Sequence, residues 1–190
     1  MANDTATKAQ IQVIPFNPDS KHMVQALYDI GNAIVKESTT FKHDVMKDKI
    51  DALVADHKLH LDDVVIDSRT CCFMAFLSFS DAVIAPAVSA TVAANPVCVG
   101  AVAGFVSDSW FDGSTSLNDF FLYVHPEARR TGTAEILIGH YEMFGRDVGV
   151  DKINLGISTG LRQKALGRFY ENAGYQQSAT QFTKEINHVL

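Results

Sequence analysis

Basic residues are the scarcer charge in this chain: 16 lysines and arginines stand against 22 acidic residues, a formal net charge of −6 over 190 residues. A general nucleic-acid binder is therefore disfavoured, whereas a cationic small molecule would be drawn in. Cysteine is also scarce. Cys71, Cys72 and Cys98 are an odd set without C-x-x-C spacing, and no signal peptide is seen ahead of Ile11. These absences argue against a disulfide scaffold, point to a reducing cytoplasmic compartment, and make the thiols small buried strand residues. Neither a Walker-type phosphate loop nor a G-x-G-x-x-G loop occurs, which removes the usual nucleotide sites. The most apolar stretch, Ala82 to Val106, is broken by Pro86, Ser89, Thr91, Asn95 and Pro96, so no membrane span is expected. Internal repeats and low-complexity tracts are absent too.

What is present suits a globular domain. Apolar residues make up 47% and charged residues 20%, and a chain this long can bury roughly 70% of its unfolded surface in one core. Residues 1–10 read as a flexible arm and 11–190 as a single domain. A strand is expected at Ile11–Phe16. Ser20 should cap a helix with Met23, Leu27, Ile30 and Ile34 on its apolar face, and Met46, Ile50, Leu53 and Val54 mark a second helix. Short strands are expected at Val64–Ile66, Cys71–Phe79 and Val97–Val106, with an Ala- and Val-rich insertion, Ser80 to Pro96, between the last two. Later come a turn-rich stretch at Ser107–Ser116, a helix at Thr133–Val148 ended by Gly149, a strand at Lys152–Ile157, a helix at Gly160–Ala173 ended by Gly174, and a strand at Ala179–Ile186. This alternation implies a mixed α/β sheet.

The most informative stretch is Phe120 to Ala134. Five apolar residues, Phe120 to Val124, read as a strand covered on both faces, and Pro126 ends its ladder. The small residues Thr131, Gly132, Thr133 and Ala134 then open a helix, whose amides can approach an anion, with Arg129 and Arg130 adding charge.

Arg129-x-x-Gly132-x-Ala134 after an apolar strand and Val-x-Pro resembles the acetyl-coenzyme A motif of the GNAT superfamily of N-acetyltransferases. Downstream, Phe169-Tyr170-x-x-x-Gly174-Tyr175 resembles that family's second signature, in the right order and spacing. The resemblance covers Ser116 to Ile186 by motif and the N-terminal half by layout. It implies a GNAT-like α/β (α+β) fold: a mixed, mostly antiparallel sheet of six to seven strands, helices on both faces, splayed between strands 4 and 5. It further implies acetyl-coenzyme A as co-substrate, no metal, and direct attack by an amine in a ternary complex. Backbone groups of Leu122, Tyr123 and Val124 would pair with the pantetheine arm, and Arg130, Thr131, Gly132, Thr133 and Ala134, assisted by Arg129, would take the diphosphate. Gln163, where many members carry asparagine, and Phe169 complete the implied cofactor contacts. Tyr170 would protonate the leaving thiolate. Asp119 is the first candidate for general base, although strand alternation places it on the face opposite Val124; Glu127, Asp112 and His125 stay open. The acceptor would be a primary amine on a small molecule, peptide or protein lysine, cationic by the charge argument, and a homodimer is allowed.

Three other readings compete. A catalytically silent GNAT-fold binding protein would account for the missing obvious base and the apolar insertion. Gly156-x-Ser158-x-Gly160 matches a serine-hydrolase elbow, yet only His188 follows it as histidine and only Glu171 and Glu185 as intervening acids, so Ser158 or Thr159 reads as a helix cap. Asp56, His57, His60, Asp62 and Asp63 have metal-like composition, but at a helix end without H-E-x-x-H they read as a solvated terminus.

Overall fold

The computed structural model describes residues 9–38, 43–62, 69–79, 96–157 and 163–178. Through these the chain runs β1 (Ala9–Pro15), α1 (Lys21–Glu37), α2 (His43–Asp62), β2 (Thr70–Phe79), β3 (Val97–Asp108), β4 (Thr115–Val124), α3 (Thr133–Asp147), β5 (Lys152–Asn154) and α4 (Gln163–Asn172). β1 starts two residues ahead of the expected Ile11, since Ala9 and Gln10 already pair with Phe79 and Ser78. α1 starts as its sequence requires: Ser20 Oγ accepts the Met23 amide, and Met23, Leu27, Ile30 and Ile34 are buried on one stripe.

The strands lie in the order β1-β2-β3-β4-β5. The first three pairings are antiparallel and β4–β5 is parallel. Alternation along the strands feeds two cores. Cys72, Met74, Phe76, Ala101, Ala103 and Tyr123 pack beneath α1 and α2, while Cys71, Ala75, Val102, Leu117 and Val124 pack against Leu137 and Tyr141 of α3. Burial raises the Cys71 thiol to about 12 and the partly buried Cys98 thiol to about 11, so both are inert strand residues as expected. Five strands are seen among the described residues, against six to seven expected; the expected strands at Val64–Ile66 and Ala179–Ile186, and residues 80–95 of the insertion, lie outside them.

Two features of β4 build the site. It is longer than its apolar run, and among the described residues its outer edge pairs with β5 only at Ser116, Leu117 and Asn118. Beyond Asn118 no further β4–β5 pair is seen among the described residues. The register with β3 also shifts between Ala103, which pairs with Phe121, and Gly104, which pairs with Asp119, so that Phe120 is left over between them. That bulge reverses the alternation expected from sequence. Asp119 falls on the α3 side with Leu117, Leu122 and Val124, not on the opposite face from Val124. Phe120, expected to be covered, is the extra residue; it is 46% exposed and stacks on Phe105 with centroids 4.8 Å apart.

Candidate active site

The seam along Asp119 to Val124, past the last described β4–β5 pair, leads to the anion cradle. β4 ends where His125 N–H donates to Val99 O, and Pro126–Ala128 form one tight turn. Arg130 and Gly132 then take φ values of 77° and 84°. The left-handed arginine costs about 1–2 kcal/mol, which glycine at 132 avoids. The first helical bond of α3 runs from Ile136 N–H to Gly132 O. The amides of Thr133, Ala134 and Glu135 therefore have no partner inside the helix, and an ideal Cβ at Gly132 would meet nothing within 4 Å. Thr133 is buried and its Oγ1 lies 2.7 Å from Thr131 Oγ1, which itself donates to Ala128 O. Open space, free amides and a helix N-terminus fit a diphosphate.

Arg129 reaches a different partner. Its Nη2 lies 2.6 Å from Glu37 Oε2 and its Nε donates to Val124 O at 3.0 Å. Tyr123 donates to the other Glu37 oxygen at 2.7 Å, with the guanidinium over its ring. Burial pushes the Glu37 carboxyl up, but these donors and the Arg129 charge outweigh it and hold the group below its ordinary value. Arg129 thus ties the end of α1 to the end of β4, and its neighbour Arg130 is exposed. Glu37 carries no local signature that marks it for this contact.

At the fork, Asp119 Oδ1 accepts the Gly156 amide at 2.8 Å. Desolvation raises its carboxyl to about 6, against which that amide works. Tyr170 is 7% exposed, and burial followed by the Asp119 charge pushes its phenol up, so it stays protonated at neutral pH. Tyr175 packs on Tyr170 at 6.0 Å and donates to Glu142 at 3.0 Å, which docks α4 on α3. Phe169 lies against Tyr170 at 5.7 Å, and Gln163 is exposed at the start of α4. Asp119 and Tyr170 thus lie within electrostatic reach of each other, and Arg129 to Ala134 lie past the other end of β4.

The rival bases are placed otherwise. Asp112 sits in the exposed β3–β4 turn, where Lys152 at 2.6 Å holds its carboxyl well below the usual range. Glu127 and His125 are exposed beside the cradle. Ser158 of the hydrolase-like motif lies outside the described residues, and Gly156 serves Asp119. His57 packs its ring on Phe16 and Asp56 accepts from Thr70. Among the described residues no three metal-ligating side chains converge, and no helix is long and apolar enough to cross a membrane.

Residues 88–177 match the family described as Acetyltransferase (GNAT) domain. Glucosamine-6-phosphate N-acetyltransferase from Arabidopsis thaliana is similar in structure, with a TM-score of 0.63 at 10% identity over 94% of this chain and 99% of its own. An acetyltransferase of Trypanosoma brucei gives 0.58 at 13% identity over 93% and 100%. An aminoglycoside N-acetyltransferase in complex with coenzyme A gives 0.60 at 12% identity over 95% and 97%. No curated protein sequence matches the chain. The match over residues 88–177 and the fold shared with these acetyltransferases agree with the resemblance that the motif pair carries.

Proposed function

We propose that the domain, spanning residues 11–190, transfers an acetyl group from acetyl-coenzyme A to a primary amine by direct attack in a ternary complex. The observation that carries this reading is the edge of β4, whose described pairing with β5 ends at Asn118 and which runs to the free amides of the α3 start. Backbone groups of Leu122 to Val124 line that edge, and Arg130 to Ala134 would hold the diphosphate, with Arg129 bracing the loop. When bound, the co-substrate supplies an activated thioester. Asp119, near neutrality in its affinity for a proton, takes one from the acceptor ammonium, and Tyr170, protonated and adjacent, gives one to the departing thiolate. Alignment along the seam supplies much of the remaining rate.

Titratable groups pushed apart by their surroundings mark acid and base, which is the pattern of Asp119 and Tyr170. Small amines, peptide N-termini and protein lysines all fit this chemistry; the names of the structural relatives put amino sugars first in a panel. The setting we infer is the cytoplasm, with a homodimer allowed. Thiol release from acetyl-coenzyme A should be followed against that panel, with acetylated products identified by mass spectrometry. If no coenzyme A ester stabilises the fold or is consumed, the reading fails. Tyr170→Phe should lower turnover about 10²- to 10⁴-fold with cofactor affinity little changed.

A further inference from the structure

The bulge in β4 does more than turn Asp119. It leaves Phe120 without a partner across the ladder, and bulges of this kind re-aim a side chain. Here the ring is laid on Phe105, with centroids 4.8 Å apart and planes 28° from parallel. Phe120 stays 46% exposed, so the stacked pair is open to solvent at the residue next to Asp119. Val102 and Val106 of β3 face α3, so Phe105 and Ser107 lie on the opposite side, with Ala101 and Ala103. Asn118, across from Phe105, donates to Ser107 Oγ at 2.9 Å and to Ser116 O at 3.1 Å, and its oxygen accepts Asn154 Nδ2 at 3.0 Å. That row is polar but already hydrogen-bonded within itself. On the other border Thr70, paired with Phe105, donates to Asp56, and at the hairpin end Arg69 pairs with Asp108.

We propose that the Phe105–Phe120 pair is the acceptor subsite, and that the acceptor amine is carried on a flat apolar body, an arylalkylamine in class, which lies on these rings and reaches Asp119 over the edge of β4. This rests on Asp119 being the base of the proposed transfer. Contiguity, hydrogen bonding and charge select the class. Asp119 and Phe120 are consecutive, with α-carbons about 3.8 Å apart, one turned to the α3 side and the other away from it. Among the described residues no β5 pair closes the strand edge at this level, so a short alkyl arm has only one strand to cross. A hydroxyl-rich body laid on the rings would exchange water for π faces and for a row whose amides already serve one another, leaving its hydroxyls short of partners. A polycation would bring further charges to a border where Asp56 and Asp108 are already engaged. An apolar body meets neither cost and gains the burial and the stacking.

The test follows thiol release with 2-phenylethylamine, glucosamine and spermidine as acceptors, for the full chain and for Phe120→Ala. The kcat/KM for 2-phenylethylamine should exceed that for either of the others at least about tenfold, and Phe120→Ala should cut that advantage about tenfold to a hundredfold, mainly through KM, as the loss of one buried aromatic contact requires. An advantage absent from the wild type, or one that survives Phe120→Ala, overturns the proposal. A loss shared equally by the three acceptors overturns it too, since Phe120 would then act through the strand that carries Asp119. Phe120→Leu, which keeps apolar bulk without a ring, carries the test if the alanine variant does not fold. Saturation-transfer NMR of 2-phenylethylamine in the presence of coenzyme A separates this inference from the reading beneath it. Phenyl contact that disappears in Phe120→Ala, with no transfer to any amine, upholds the subsite and overturns the transfer. Transfer to other amines without that contact overturns the subsite alone, and neither contact nor transfer overturns both.

Discussion

The two ends of the β4 seam each carry a carboxylate, and their surroundings pull in opposite directions. At the cradle end Glu37 receives Tyr123 and Arg129, and its proton affinity falls. At the fork Asp119 has one amide from Gly156 and a desolvated setting, and its proton affinity rises to about 6. The first charge is fixed and braces a loop. The second is poised to change, at some cost to the fold. Partly buried carboxylates at the two ends of one strand thus acquire different roles from the number of donors each is given.

Asp119→Asn should break this comparison most severely. Turnover should fall about 10²- to 10⁴-fold, and the acid limb near pH 6 should vanish from the profile of the residual activity. Stability should move the other way. The native carboxyl keeps its proton up to about 6 whereas the unfolded one loses it near 3.8, so stability falls as pH rises through that window and stays lower above it. The amide retains an acceptor for Gly156 and carries no charge. Melting at pH 8 should therefore show a gain of about 1–3 kcal/mol, and melting at pH 4 almost none. A loss at pH 8 would make Asp119 a structural brace like Glu37.

The two ends also differed in how much their residues disclosed. The cradle is short-range: the strand, Pro126, Arg129, Gly132 and Ala134 are consecutive, and a left-handed glycine at a helix start has a local signature. Helical stripes such as Met23, Leu27, Ile30 and Ile34 were legible for the same reason. The fork was legible only in part. Asp119 could be nominated, but Asn118-Asp119-Phe120 carries no mark of a bulge, which depends on pairing with β3, so its face was misread and Phe120 was expected to be covered. Glu37 escaped notice because it meets Arg129 across 92 residues. Contacts of that range are set by the sheet, not by neighbours in the chain.

Two glycines sharpen the contrast at the next size of effect. Gly104→Ala should destabilise by about 1–3 kcal/mol, because Asn118 backbone and the buried Tyr141 ring leave its methyl no room. For a chain of this length that is a fall in melting temperature of roughly 2–4 °C per kcal/mol. Gly132→Ala meets nothing within 4 Å, so its cost is the left-handed backbone alone, about 1 kcal/mol, and Gly132→Asn should recover part of it. Chemical denaturation of the three variants separates lack of space from lack of conformational freedom.

The smallest effect should come from Glu37→Gln. Glutamine can still accept from Tyr123, but the charge opposite Arg129 is gone, and with side chains 32% and 29% exposed that pair is worth on the order of 1 kcal/mol. The loss should appear as looser bracing of the cradle: KM for acetyl-coenzyme A rises about threefold to tenfold while kcat holds. Its pH dependence is opposite to that of Asp119. A depressed carboxyl stabilises above its unfolded value and loses that contribution as pH falls through the folded value, so wild type and Glu37→Gln should converge in stability in acid and differ at neutrality. Equal stability at pH 7, or a fall in kcat in place of a rise in KM, would show that Glu37 acts at the chemical end of the seam after all.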